Sequence, residues 1–194
     1  MPRRIVIIQG HPDPAPERLC RALGAAYARG AVAAAHQIVH VDLARLEFPL
    51  LASNAAFLGG DIPEALRPAA EAIRSADHLV LIFPLWLGTM PALVKAFLEQ
   101  VMRPGTAFAY RDKGFPEKLL AGKSARLVVT MGMPALVYRL WFRAHGIRVL
   151  ERNILNFVGV KPVRTSWYGS VEAAGDAVRR GWLDEMTELG RRGG

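Results

Sequence analysis

Cysteine is almost absent from this sequence, since Cys20 is the only one among 194 residues. A single thiol excludes an internal disulfide and is typical of proteins in a reducing compartment. Long apolar runs are lacking too: the longest, Leu79 to Met90, contains Pro84 and Gly88 and is too short to span a bilayer. A basic leader followed by an apolar segment is also missing. We therefore expect a cytoplasmic protein without membrane insertion.

Two common nucleotide-binding motifs are missing, and acidic charge is scarce. The turn after the first predicted strand has neither Gly-x-Gly-x-x-Gly nor a Walker lysine, which excludes both patterns. The sequence has 17 acidic and 25 basic side chains, which gives a net charge of +8. Because the basic residues are mostly scattered, we expect no nucleic acid partner. A positive field would still attract a phosphate-bearing cofactor.

Strand-like and helix-like segments alternate along the whole chain. Continuous apolar segments predict strands at residues 4–9, 36–43, 78–83, 125–131 and 161–168. Helical spacing predicts helices at 17–30, 63–76, 90–102, 135–158 with a break near Gly146, and 171–189. Residues 44–62 have no clear period, and residues 103–122 indicate a loop or short hairpin.

This alternation predicts the fold. Apolar strands with helices between them are typical of a parallel sheet that is covered on both faces. Right-handed crossovers then favour a doubly wound arrangement. We expect one α/β domain over residues 1–194, a flavodoxin-like doubly wound five-stranded parallel sheet in three layers, α/β/α.

Ligands of such sheets bind beyond the carboxyl ends of the strands, where this chain has three unusual loops. The first, residues 10–18, leads into a helix N-terminus whose unpaired N–H groups, among them those of Leu19 and Cys20, would favour an anion. His11 adds a donor and Arg18 a charge. The alternative is an ordinary turn, since many strand-to-helix turns contain glycine, proline and aspartate.

The second loop, Pro84 to Thr89, places bulky apolar side chains where water normally lies. Leu85, Trp86 and Leu87 could wall a flat aromatic ligand, and Gly88 would allow close approach of its backbone. The alternative is a tryptophan that covers the core or lies in a subunit interface.

The third loop follows the fourth predicted strand. Thr130, Met131, Gly132 and Met133 could present N–H groups and a hydroxyl to the polar edge of a ring. Tyr138 and His145 follow in a largely apolar segment, as do the arginines that could meet a 2′-phosphate: Arg139, Arg143 and Arg148. A buried tyrosine or histidine is otherwise a common core residue.

With these loops in view, the chain resembles the flavodoxin-like NAD(P)H:quinone oxidoreductase family, from about Arg4 to Tyr168. The strongest match is the segment from Phe83 to Ala92, FPLWLGTMPA, followed by Lys95 and Phe97. A second is PGTAFAY, which ends at Tyr110.

The resemblance implies a flavin, FMN with FAD as the alternative, and NAD(P)H as co-substrate. It implies that His11 and the following helix hold the phosphate and that residues 84–88 contact the ring. It also implies that residues 130–133 contact the pyrimidine edge. Tyr138 and His145 would stabilise charge on the reduced flavin, His145 being about one residue late. A quinone or similar acceptor and a homodimer are implied as well.

The chain departs from the family pattern at two places. Pro16, Glu17 and Arg18 stand where relatives carry serine, an aromatic residue and asparagine, and Met133 replaces a second glycine. These departures leave open the choice between FMN and FAD, and they leave open a protein that keeps the fold and has lost tight flavin binding. Two alternative functions stay open as well: a flavin-binding regulatory subunit of an ion-efflux system and a flavodoxin-type electron carrier. The choice between NADH and NADPH stays open too.

Overall fold

The computed structural model describes all 194 residues and contains seven strands. The strands are β1 (Arg4–Gln9), β2 (Gln37–Asp42), β3 (His78–Pro84), β4 (Phe108–Ala109), β5 (Glu117–Lys118), β6 (Ser124–Thr130) and β7 (Val163–Tyr168). Five of them form one sheet in the order β2-β1-β3-β6-β7, with every neighbouring pair parallel. This order confirms the predicted flavodoxin-like α/β fold.

Eight helices connect or flank these strands. They are α1 (Leu19–Ala33), α2 (Asn54–Gly59), α3 (Arg67–Ser75), α4 (Ala92–Val101), α5 (Ala135–Leu140), α6 (His145–Val149), α7 (Asn156–Val158) and α8 (Asp176–Arg192). A π-helical segment, Leu150–Leu155, joins α6 to α7. No helix combines the length and the hydropathy that crossing a membrane would require.

The sheet separates two hydrophobic cores, which gives the three layers their stability. On one face, Leu23 and Tyr27 of α1 and Met186 of α8 pack against Ile7 and Val80. The core on the other face is larger and contains residues of α3, α4, α6 and the π-helical segment. Because both faces are covered, β3 is buried along its whole length, as its unbroken apolar sequence indicates.

The first helix runs past Gly30, where the sequence analysis ended it, and continues to Ala33. Gly30 lies where α1 crosses α8, and a Cβ atom there would overlap the carbonyl oxygen of Thr187. Gly190 is its counterpart on α8, where a Cβ atom would overlap the carbonyl oxygen of Tyr27. These glycines therefore serve helix packing and not helix termination.

Several other predicted boundaries were wrong. The irregular stretch 44–62 contains α2, which Ser53 caps by accepting a hydrogen bond from the Ala56 N–H. The last helix begins at Asp176 and not at 171. The helix α4 begins at Ala92, and Pro91 occupies its N-cap position.

Two other predictions were confirmed. The break expected near Gly146 lies at Arg143 and Ala144, which have φ values of 51° and 49°. Residues 103–122, predicted to form a loop or short hairpin, contain the antiparallel pair β4–β5.

Candidate functional site

The three loops predicted from the sequence meet at one rim of the sheet. The Gly10 N–H donates to the Ile82 carbonyl at 2.7 Å, and the Leu85 N–H donates to the Thr130 carbonyl at 2.7 Å. The rings of His11 and Trp86 meet edge to face, with centroids 6.2 Å apart. An ideal Cβ on Gly10 would lie 2.6 Å from Val94 of α4, so only glycine allows the first loop to approach so closely.

His11 is positioned by the loop that follows it. Its Nδ1 accepts the Asp13 N–H at 3.0 Å, which leaves Nε2 as the nitrogen able to carry a proton. Partial burial lowers the pKa of His11; the neighbouring guanidiniums of Arg18 and Arg21 add to this, while the Asp13 carboxylate opposes it. The imidazole is therefore a neutral hydrogen-bond donor at neutral pH, suited to a phosphate oxygen.

Two ion pairs brace the first loop. Arg18 Nε donates to Asp13 Oδ2 at 2.7 Å, and Asp13 Oδ1 accepts the Ala15 N–H at 2.8 Å. Arg21 holds Asp42 of β2 through two hydrogen bonds of 2.8 and 3.1 Å. The predicted phosphate ligand Arg18 is thus already paired with Asp13, a residue that the sequence analysis did not single out.

The N-terminus of α1 keeps free donors. No side chain caps it, and the N–H groups of Leu19 and Cys20 have no acceptor in the protein. Glu17, the carboxylate expected to oppose a phosphate, is exposed to solvent. The helix start therefore retains the oriented N–H groups on which anion binding depends.

Cys20 itself points inward and forms part of the core. Its side chain is 1% exposed, and its Sγ lies 3.3 Å from Thr130 Oγ1, which links α1 to the end of β6. Burial raises the pKa of the thiol to about 11. The side chains of the predicted contacts Cys20 and Thr130 thus bond each other, and the Thr130 carbonyl already accepts the Leu85 N–H, so only the Cys20 backbone N–H is offered to the rim.

We predict that native Cys20 resists alkylation. At pH 8 roughly one thiol in a thousand would be ionised, and burial blocks access in addition. Iodoacetamide should label the folded protein at least about a hundredfold more slowly than protein unfolded in urea. Mass spectrometry of timed samples measures both rates, and equal rates would show that the thiol is accessible.

The second loop forms a tight turn with exposed apolar side chains. Trp86 and Thr89 exchange backbone hydrogen bonds of 2.9 and 3.0 Å, and both central residues have positive φ, 48° at Leu87 and 78° at Gly88. Trp86 is 49% exposed and Leu87 is fully exposed, while Leu85 is half-buried and Pro84 is buried. The turn therefore presents a hydrophobic surface to solvent at the rim.

Tyr138 clamps this turn from the side. Its hydroxyl donates to the Gly88 carbonyl at 2.8 Å, and the N–H groups of Gly146 and Ile147 approach its oxygen. Burial raises the pKa of Tyr138. A Cβ on Gly146 would overlap the Gly88 carbonyl oxygen, so α6 also packs directly on the turn. The predicted catalytic tyrosine is therefore buried, and its hydroxyl is engaged with the loop.

Replacing Tyr138 by phenylalanine should loosen the turn without emptying the core. The Gly88 carbonyl loses its partner, which should lower the free energy of unfolding by about 1 kcal/mol. Urea unfolding followed by fluorescence measures the change. Tyr110→Phe is the matched control, because Tyr110 is 62% exposed and its hydroxyl makes no hydrogen bond. Equal stability of both variants would contradict the clamp.

The third loop presents two backbone donors. Met131 is buried, and its N–H donates to the Tyr168 carbonyl at 2.8 Å. The N–H groups of Gly132 and Met133 have no acceptor in the protein. The Glu172 carboxylate lies 3.0 Å from an ideal Cβ position on Gly132, so a side chain there would meet it. Glu172 was not predicted, because it comes from the segment after β7.

His145 begins α6 as an exposed residue, and its side chain makes no hydrogen bond. Its neighbour Gly146 contacts the second loop, which places His145 next to the rim. Nowhere in the chain do three or more metal-ligating side chains of the His, Cys, Asp and Glu types come together. The rim therefore offers uncharged hydrogen-bond donors in its first and third loops, and the apolar side chains of the second loop lie between them.

Comparison with known proteins agrees with this geometry. Residues 3–188 match the model of a protein family described as having a flavodoxin-like fold. This chain belongs to that family. The match covers the whole five-stranded sheet, all three rim loops and most of α8.

Two curated relatives of this family member illustrate the likeness. The chain is 31% identical over 153 residues to FMN-dependent NADH:quinone oxidoreductase 2 of Pseudomonas fluorescens, covering 72% of this chain and 73% of that protein. It is 27% identical over 127 residues to an uncharacterized NAD(P)H oxidoreductase of Haemophilus influenzae, covering 64% of this chain and 62% of that protein. For three further relatives, the matched segment spans 43 to 57% of their length.

Solved structures show the same fold. NAD(P)H:quinone oxidoreductase from Methanothermobacter marburgensis superposes with a TM-score of 0.84 and 24% identity, over 100% of both chains. An FMN-dependent NADH-azoreductase from Bacillus anthracis, solved in complex with FMN, gives a TM-score of 0.75 and 15% identity over 97% of both chains.

Proposed function

We propose that this chain is a flavin-dependent NAD(P)H oxidoreductase, an NAD(P)H dehydrogenase that reduces quinones or similar acceptors by two electrons. The observation that carries the proposal is the meeting of three loops at one rim. The first and third loops bring N–H donors, and the turn of the second loop places apolar side chains between them. Relatives named FMN-dependent NADH:quinone oxidoreductase support FMN as the cofactor. The protein is proposed to act in the cytoplasm, in keeping with its single free thiol.

The first loop fits the phosphate of FMN. The free N–H groups of Leu19 and Cys20 lie at the positive end of α1, and His11 offers its Nε2 proton. Arg18 contributes charge at longer range while it remains paired with Asp13. These groups compensate for the hydroxyl that relatives of this family would supply at Pro16.

The second and third loops fit the ring. Trp86, Leu87 and Leu85 supply apolar contact, and the Gly132 and Met133 N–H groups supply donors to the pyrimidine edge. The backbone N–H of Met133 would therefore donate the hydrogen bond that a second glycine would donate in relatives. The Glu172 carboxylate would oppose negative charge at this edge, but Glu172 is exposed and free to turn toward solvent.

FMN, when bound, would supply the redox chemistry, which is two-electron hydride transfer from NAD(P)H to the acceptor. The chain's own residues would hold and orient the ring and exclude water from one of its faces. The N–H groups of Gly132 and Met133 would stabilise negative charge at the pyrimidine edge. Tyr138 would keep the turn in place through Gly88, and His145 would carry a proton between the acceptor and water.

We also propose that the protein acts as a homodimer. Residues 136–142 expose an apolar surface: Leu136 is 61% exposed, Val137 43%, Leu140 69%, Trp141 82% and Phe142 49%. Such a patch beside the rim is typical of a protein interface, and a second copy would cover the open face of the site. Sedimentation should show a dimer, and Leu140→Asp with Trp141→Asp should convert it to a monomer.

The activity is tested with purified protein loaded with FMN under anaerobic conditions. Without an acceptor, we expect at most one equivalent of NADH or NADPH to be oxidised per bound FMN. Continued oxidation should require a soluble benzoquinone, with one quinone reduced per nicotinamide. Free FMN at the same concentration is the control. Bound flavin without turnover would favour a regulatory, flavin-binding subunit, and single-electron transfer alone would favour a flavodoxin-type carrier.

A further inference from the structure

Three arginines lie in or beside the first loop of the rim, and all three are paired with carboxylates. The pairs are Arg18–Asp13, Arg21–Asp42 and Arg45–Asp42. Glu17 adds an exposed carboxylate that takes part in no salt bridge. The arginines and the acidic side chains of this group therefore balance each other, and no net positive charge faces the place proposed for the flavin phosphate.

The donors that remain for a phosphate are uncharged. They are the N–H groups of Leu19 and Cys20 and the Nε2 proton of His11. The imidazole is neutral because partial burial lowers the pKa of His11. Hydrogen bonds from neutral donors are weaker than those from a free guanidinium. The phosphate of FMN would therefore strengthen binding much less here than it would at a site with an unpaired arginine.

An uncompensated carboxylate also lies at the third loop, where the pyrimidine edge of the ring is proposed to bind. The two Glu172 oxygens lie 3.0 and 3.3 Å from the ideal Cβ position of Gly132. Glu172 takes part in no salt bridge, and the neighbouring Val171 N–H donates to the Met131 carbonyl at 3.2 Å, which keeps this segment against the loop. Reduction makes the pyrimidine edge of a flavin more negative, and a nearby like charge disfavours that form. Glu172 would therefore weaken the binding of reduced flavin more than that of oxidised flavin.

We propose that flavin is an exchangeable substrate of this site and that the chain releases it in the reduced form. This role rests on the proposed function, because flavin and NAD(P)H must both bind at the rim. The hydride of NAD(P)H and one proton from water are added to the flavin, so that NAD(P)⁺ and free reduced flavin leave. The reduced flavin then gives two electrons and two protons to an acceptor elsewhere. The reaction that consumes this product is thus one that takes both electrons from free reduced flavin, as an oxygenase without a nicotinamide site would.

Fluorescence titration of the flavin-free full chain with FMN and with riboflavin tests the weak contribution of the phosphate. We expect the two dissociation constants to lie within about tenfold of each other. Asp13→Asn should release the Arg18 guanidinium toward the phosphate, while the amide oxygen still accepts the Ala15 N–H. This variant should bind FMN about tenfold more tightly and riboflavin as the wild type does. Asp112→Asn is the matched control, because Asp112 is exposed far along the chain in the β4–β5 hairpin and forms no salt bridge.

The effect of Glu172 is measured as the reduction potential of the bound flavin. Glu172→Gln should lower the dissociation constant of reduced FMN about tenfold relative to that of oxidised FMN, which raises the two-electron potential of bound FMN by about 30 mV. Asp112→Asn should leave this potential unchanged. An unchanged potential in Glu172→Gln would show that the carboxylate does not act on the ring.

Release of reduced flavin is tested anaerobically in two compartments that exchange only small molecules. One holds the protein, NADH and excess FMN, and the other holds cytochrome c. We expect many equivalents of FMN to be reduced per protein molecule, and cytochrome c to be reduced only when protein, NADH and FMN are all present. Each reduced flavin should yield two ferrous haems, which closes the electron count.

Two outcomes separate this role from the proposed function. Reduction of benzoquinone by protein with one bound FMN, while excess FMN stays oxidised and cytochrome c is not reduced, would overturn the exchange and leave the proposed function intact. No oxidation of NADH or NADPH in the presence of both FMN and benzoquinone would overturn both. Binding of FMN more than about a hundredfold tighter than riboflavin, with no gain from Asp13→Asn, would also overturn the exchange.

Discussion

Gly190→Ala is expected to be among the most destabilising single substitutions in this chain. Its new Cβ would overlap the Tyr27 carbonyl oxygen and lie 2.9 Å from the Ala31 nitrogen, both of which are backbone atoms of α1. Backbone atoms cannot swing aside, so α1 and α8 must separate along their contact. We expect the free energy of unfolding to fall by about 3 kcal/mol. The corresponding fall in Tm is about 6–12 °C.

Gly181→Ala provides a control within the same helix. No atom lies within 4 Å of an ideal Cβ at Gly181, and its position in α8 is exposed. Alanine has a higher helix propensity than glycine, so this variant should gain about 0.5–1 kcal/mol. Urea and thermal unfolding of both variants measure the opposite signs. A loss of stability in both variants would show that the destabilisation by Gly190→Ala does not come from the contact between α1 and α8.

The second large effect concerns the flavin. Replacing Trp86 and Leu87 together by aspartate should weaken FMN binding at least about a hundredfold, because apolar contact is lost and two carboxylates approach an anionic cofactor. The fold should persist, since Trp86 is 49% exposed and Leu87 is fully exposed. Aspartate also tolerates the positive φ of Leu87 better than leucine does.

Fluorescence titration of apoprotein with FMN measures this loss. The conservative pair Trp86→Phe with Leu87→Met is the control, because it keeps the apolar surface and the turn. We expect it to bind FMN within a few-fold of the wild type, and circular dichroism should show equal folding of all three proteins. Tight FMN binding by the aspartate pair would place the ring elsewhere.

The strands and their order could be predicted from the sequence because their chemistry is local. Short, unbroken apolar segments bounded by turn residues, such as β3, are typical of strands buried on both faces, and parallel strands place their following loops at one edge. Helix ends were less predictable. Gly30 has the sequence character of a helix end, but its contact with Thr187 of α8, far away in the sequence, makes it a packing position.

At the candidate site, too, some features depend on the local sequence and others depend on tertiary contacts. The three loops, the turn at Trp86 and the free donors of α1 follow from residue types placed at strand ends. The orientation of Tyr138 toward Gly88, the pairing of Arg18 with Asp13 and the position of Glu172 depend on which elements meet in three dimensions. No spacing in the sequence specifies these contacts. The sequence therefore indicated which residues lie at the site better than it indicated which residues they contact.

A crystal structure of the FMN-loaded protein tests the central claim most directly. The account predicts the FMN phosphate against the N–H groups of Leu19 and Cys20, the ring beside Trp86, and its pyrimidine edge at Gly132 and Met133. A rim that stays empty at saturating FMN, or that is filled by the protein's own side chains, would contradict it.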